Sequence, residues 1–95
     1  MDERPFLEQV RQLIAEFLAG QRPFAELVTG IVLPGWEAQQ LGPAADDVVA
    51  EVEALAVWRS EWVLDEEEMR AALRALLERV ERSLDAGAAS VPLGR

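Results

Sequence analysis

Apolar residues return every three or four positions along most of this chain, and glycine or proline breaks the pattern at Gly20 to Pro23, at Pro34-Gly35 and at Gly42-Pro43. That spacing places the apolar side chains on one face of a helix, whereas a half-buried strand would need strict alternation. The breaks are too frequent for one long helix and too few for a chain of short strands. At 95 residues the chain supports one domain with one core. An all-α antiparallel four-helix bundle over residues 1–84 follows, with residues 85–95 as a flexible tail, because short links between helices favour antiparallel neighbours.

The first helix is predicted over Pro5–Ala19, with Phe6, Leu7, Val10, Leu13, Ile14, Phe17 and Leu18 as its stripe. Pro5 suits a first helical turn, and Gly20 suits a left-handed stop. Pro23 opens the second helix, whose stripe is Phe24, Leu27, Val28, Ile31 and Val32; Pro34-Gly35 is expected to end it. Between Trp36 and Pro43 the pattern is weak; Trp36 and Leu41 can cap the core, and Glu37 to Gln40 can make a helical turn. The third helix is predicted over Ala44–Trp58 on Ala45, Val48, Val49, Val52, Leu55 and Ala56. Its valines favour strand, but their spacing is helical. Arg59 to Leu64 connects it to the fourth helix. There Asp65 and Glu68 form a capping box ahead of the stripe Met69, Ala72, Leu73, Leu76, Leu77, Val80 and Leu84. Asp85 to Arg95 has little to bury.

Charge is the second constraint. The chain carries −9, and residues 46–68 alone hold nine carboxylates against Arg59. Such a field repels nucleic acid and anionic membranes and attracts basic proteins. Histidine, cysteine and lysine are absent. No phosphate loop, zinc-helix motif or nucleophile elbow stands in the chain, and its serines have no histidine to activate them. The paired carboxylates Asp46-Asp47 and Glu66-Glu67-Glu68 fall at helix starts, where solvent and the helix dipole keep them ionised. Asp65 to Glu68 lacks the alternating ligand pattern of a calcium loop. These observations point to a protein with no catalytic residues, no metal and no cofactor. Met1 to Phe6 is charged where a signal peptide would be apolar, and no window approaches a spanning helix, so the expected place is the cytoplasm.

What remains is a binding surface. The candidate partner-binding residues are Asp46, Glu51, Glu53, Trp58, Glu61, Trp62, Glu66 and Glu67. Capping accounts for Asp65 and Glu68 and partly for Asp46, which concentrates the expectation on Glu51, Glu53 and Glu61 with Trp58 and Trp62. Tryptophan is enriched at binding hot spots. Trp36 reads more readily as a plug over an open end of the bundle, Trp58 and Trp62 serve as plug or anchor alike, and the acidic face serves equally as a merely solvated surface. A basic partner is one expectation; a homodimeric scaffold or adaptor that pairs its tryptophan edge with a second copy is the other.

The run Leu13-Ile14-Ala15-Glu16-Phe17-Leu18-Ala19-Gly20, followed by Phe24-Ala25-Glu26-Leu27, resembles the first helical hairpin of small bacterial immunity proteins of the colicin D immunity type. Asp65-Glu66-Glu67-Glu68-Met69-Arg70, leading into an amphipathic last helix, is similar to the same group. The resemblance spans residues 6–80 in element order, with the stretch Trp36 to Pro43 departing from the pattern. It implies a short acidic four-helix bundle that binds the basic tRNase domain of a toxin and blocks its active site with carboxylates where tRNA phosphates would lie.

Overall fold

Four helices account for nearly all of the computed structural model, which describes residues 3–38 and 41–89: α1 (Glu3–Leu18), α2 (Phe24–Ala38), α3 (Pro43–Ser60) and α4 (Glu66–Ala89). Among the described residues there is no strand, so the valines of α3 are helical, as their spacing predicts. The predicted stripe of α1 is buried from Phe6 to Phe17. Gly20 ends it at φ 80°, with Gly20 N–H donating to the Phe17 carbonyl at 3.0 Å and Gln21 N–H to that of Glu16 at 2.8 Å. Those two bonds are the Schellman pairing that a left-handed glycine permits. The capping box of α4 also forms: Glu68 N–H donates to Asp65 Oδ1 at 2.8 Å and Asp65 N–H to Glu68 Oε1 at 3.0 Å.

Helix α1 starts at Glu3, two residues before the expected Pro5, and three helices run past their expected ends. First, α2 does not stop at Pro34-Gly35 but runs on to Ala38 with Pro34 inside it. An internal proline costs about 3 kcal/mol through its lost hydrogen bond and ring clash. Packing offsets that cost. Ile31 and Val32 are buried just before the proline. Just after it, Gly35 lies so close to Val49 of α3 that an added Cβ would overlap the valine Cγ2. Second, α3 continues past Trp58 to Ser60. Third, α4 continues five residues past Leu84, so the proposed tail does not begin at residue 85. Leu84 is buried and its carbonyl accepts from Arg4 Nη1 at 3.1 Å, which holds this end of α4 against α1. Alanines 86, 88 and 89 favour helix beyond it. Residues 90–95 lie outside the described residues.

Helix α3 has no side-chain cap of its own. Ala45 N–H in its first turn instead donates to Glu3 Oε2 of α1 at 3.1 Å. Gly42, at φ 154°, precedes the helix, and a Cβ there would collide with the Glu3 carboxylate. The backbone angle requires glycine, and a larger residue would also push the Glu3 carboxylate off the Ala45 N–H it caps.

The helices pack in a ring, α1 on α2, α2 on α3, α3 on α4 and α4 on α1, with α1 and α3 also meeting across the diagonal. Leu27, Ile31, Ile14, Val52, Leu55, Leu73 and Leu76 fill the centre, and every buried side chain among the described residues is apolar. Arg70 near the start of α4 donates through Nη1 to the Leu18 carbonyl at the end of α1, at 3.2 Å. With the Arg4–Leu84 bond, this sets the start of each of these two helices beside the end of the other. It also brings the α1–α2 turn and the α3–α4 turn to the same end of the molecule. No described helix is long and apolar enough to cross a membrane.

Candidate partner-binding corner

Helix α3 carries its candidate residues on two separated flanks. A helix turns 100° per residue, so residues seven apart lie nearly in line. Glu51 and Trp58 line up on the flank toward α4, where Arg79 Nη2 pairs with Glu51 Oε1 at 3.1 Å and Arg79 Nη1 with Asp47 Oδ2 at 3.4 Å. Glu51 is thereby committed to the α3–α4 seam. Asp46 and Glu53 line up on the other flank, beyond Val49 and its contact with α2. Asp46 is also about 21 Å along the axis from the end of the helix at Ser60, at 1.5 Å per residue. Asp46, Glu51 and Glu53 therefore do not join a single patch with the rest.

Trp58, Glu61, Trp62, Glu66 and Glu67 do gather, at the α3–α4 turn. Helix α3 ends there in a second Schellman pairing: Trp62 N–H donates to the Arg59 carbonyl at 3.2 Å and Val63 N–H to that of Trp58 at 2.8 Å. The left-handed position usually given to glycine is occupied by Trp62, at φ 62°. A bulky residue in that region is strained, and such strain persists only where the surroundings or a function hold it. Here little burial compensates, because Trp62 is 81% exposed. Arg59 lies over its ring at 5.5 Å from the centroid and donates through Nη1 to the Leu64 carbonyl at 3.2 Å. Trp58 is 44% exposed, and Val57 and Val63 beside it are more exposed still.

Trp62, 81% exposed, does not plug the core, whereas Trp58 has more than half of its surface covered. Trp36, expected to cap the core, is 57% exposed on α2 beside exposed Leu33. Continuing α2 through Pro34 carries residue 36 round to the outer face, opposite Leu27 and Ile31. Leu41, expected to do the same job, does pack against the core.

Around the corner Glu66 pairs with Arg70 Nε at 3.3 Å, and Asp65 and Glu68 are engaged in the capping box. Glu61 and Glu67 are exposed and have no cationic partner among the described residues. The end of α3 and the turn after it thus expose Val57, Trp58, Trp62 and Val63, with the unmatched carboxylates Glu61 and Glu67 in the same stretch. Val57 was legible in the sequence as an apolar residue opposite the α3 stripe; the role of Arg59 as a ring partner was not. Among the described residues no three carboxylates converge as they would around a metal ion.

No family model, no curated protein and no solved structure matches the chain.

One carboxylate elsewhere departs from its ordinary behaviour. Glu16 accepts from Gln12 Nε2 at 2.7 Å and from Arg22 Nε at 2.7 Å, and these bonds hold its carboxyl below the usual 4.5. It ties α1 to the α1–α2 turn and lies on the opposite side of that turn's arginine from Glu26, which Arg22 Nη1 meets at 3.1 Å.

Proposed function

We propose that this chain is a non-catalytic acidic binding protein that inhibits a basic partner, and that the partner is a nuclease toxin domain of the tRNase kind, with this chain as its immunity protein. The reading takes the four helices as an antiparallel up-down bundle working in the cytoplasm. The observation that carries it is the exposed pair Trp58 and Trp62 set against unmatched Glu61 and Glu67 at one corner. Large rigid aromatics supply the contact area that is desolvated on binding. The carboxylates steer a basic surface to that contact and select it over others, more than they add affinity. Glu66, whose pair with Arg70 is exposed and weak, exchanges partners at little cost. In this reading Asp46 and Glu53 add to the long-range field without touching the partner.

The test begins with the gene beside this one, which should encode a protein ending in a basic nuclease domain. That domain is expected to cleave tRNA alone and to stop when an equimolar amount of this chain is added. Association should slow as ionic strength rises, and Glu61→Gln, Glu66→Gln and Glu67→Gln combined should slow it further. A nuclease indifferent to this chain, or an association rate independent of salt, sinks the proposal.

A second reading, a self-associating scaffold, is supported by Leu33 and Trp36, an exposed apolar pair on α2 away from the corner. Mass in solution separates the two: a stable dimer that quenches or buries tryptophan favours the scaffold, a monomer favours the inhibitor.

A further inference from the structure

We propose that the cleft between the α1–α2 and α3–α4 turns binds a small organic anion with a flat apolar body, of the aryl phosphate class. The cleft has a volume of about 490 Å³. That falls within the range of about 300–1,000 Å³ typical of small-molecule sites. Its apolar wall is Phe17, Phe24 and Met69, with the two rings edge to face at 5.8 Å between centroids. Three guanidinium groups, Arg22, Arg59 and Arg70, line the same space. Glu66 lines it too, and with Glu16 and Glu26 on Arg22 the charges at the cleft balance, leaving Arg59 as the cation with no carboxylate of its own among the described residues.

The three arginines are not equivalent. Arg22 is matched by Glu16 and Glu26 and Arg70 by Glu66, each through two N–H groups when the Leu18 carbonyl is included. Arg70 is further fixed by lying over the Phe17 ring at 4.9 Å. Arg59 donates only to the Leu64 carbonyl and faces no carboxylate within ion-pair distance among the described residues. A guanidinium carries five N–H donors, so all three retain donors for an anion, and their planar fork suits carboxylate or phosphate oxygens. The first turn of α2 also opens at this cleft and adds the positive end of its dipole. Phe24, half-buried, presents the apolar surface that takes a ring, with Phe17 and Met69 buried behind it, and so favours an anion that carries a ring over a bare inorganic one. The site opens beside the Trp62 corner and shares Arg59 and Glu66 with it, but its ligand is a small molecule, so it stands or falls apart from the identity of any protein partner.

The test uses the full chain, labelled with ¹⁵N, titrated separately with phenyl phosphate, inorganic phosphate and benzyl alcohol. Phenyl phosphate is expected to shift the amides of Gly20, Gln21 and Phe24 and the Nε signals of the three arginines, saturably. It should bind at least tenfold more tightly than either half-probe. Arg59→Gln is expected to weaken it about tenfold or more, the loss of a charge-assisted hydrogen bond. Arg22→Gln on the opposite wall should do the same, and Arg11→Gln on the exposed side of α1 should not. The proposal is overturned if phenyl phosphate gives no saturable shift, if inorganic phosphate binds as well, or if neither Arg59→Gln nor Arg22→Gln weakens binding in a chain whose remaining spectrum is unchanged.

Discussion

Trp62 offers the most direct check on the corner, through a comparison of two truncations. Trp62→Ala and Trp62→Gly both remove the indole and with it the Arg59 stacking. For a tryptophan already 81% exposed, the burial lost is small, roughly 50 Å² or about 1 kcal/mol. The exposed cation–π contact adds about 0.5–1 kcal/mol. These losses are common to both variants and cancel in the difference. What does not cancel is the backbone at φ 62°. Alanine keeps the left-handed penalty of about 1–2 kcal/mol, whereas glycine has none but loses about 0.5–1 kcal/mol of extra chain freedom on folding. Glycine should therefore be the more stable of the two by about 1 kcal/mol. In a domain of this size that is about 4–8 °C in Tm. Thermal unfolding followed by far-ultraviolet circular dichroism, with urea unfolding as the independent measure, reads the difference. A Trp62→Ala variant that melts at or above Trp62→Gly would show that residue 62 is not held in the left-handed region, and the strain argument would go with it. Both variants should lose partner binding alike, since both lack the indole.

The α2–α3 contact makes a second prediction. Gly35→Ala should destabilise by about 1–3 kcal/mol because its Cβ meets β-branched Val49, which has little room to yield. Val49→Ala in the same chain should restore part of that loss, and strictly additive effects in the four-variant cycle would refute the close approach. A third concerns acid. The Glu16 carboxyl is lowered first by the Gln12 hydrogen bond and then by Arg22, so its folded value lies below its unfolded one. Its stabilisation is present above the unfolded value and fades as pH falls through the folded one. Glu16→Gln should therefore lower Tm at neutral pH and converge with the parent on acidification. A constant gap from neutral pH down to about pH 3 would contradict this.

Much of the fold was legible because it is local. The stripes of α1 and α4 share one period with their buried faces, and the stops at Gly20 and the start at Asp65 use side chains within a few residues of the bonds they make. The site was legible only in part. Trp58, Glu61, Trp62, Glu66 and Glu67 are neighbours in sequence and remain so in space. Asp46, Glu51 and Glu53 look like members of the same acidic run, yet helix rotation sends Glu51 to one flank and Asp46 and Glu53 to the other. Counting charge along the chain cannot register that separation.

From its sequence alone the chain determined four helices, the apolar face of each, and a concentration of carboxylates around the third and fourth, because periodicity and capping act over one or two turns. Tertiary structure decided the rest. It carried α2 through Pro34 by packing Gly35 on Val49, and capped α3 with Glu3 from the far side of the bundle. It bound Glu51 to Arg79, and drew Arg22, Arg59 and Arg70 to one cleft. Each of these joins residues more than ten positions apart, and no local spacing encodes which distant side chain will fill a gap or match a charge.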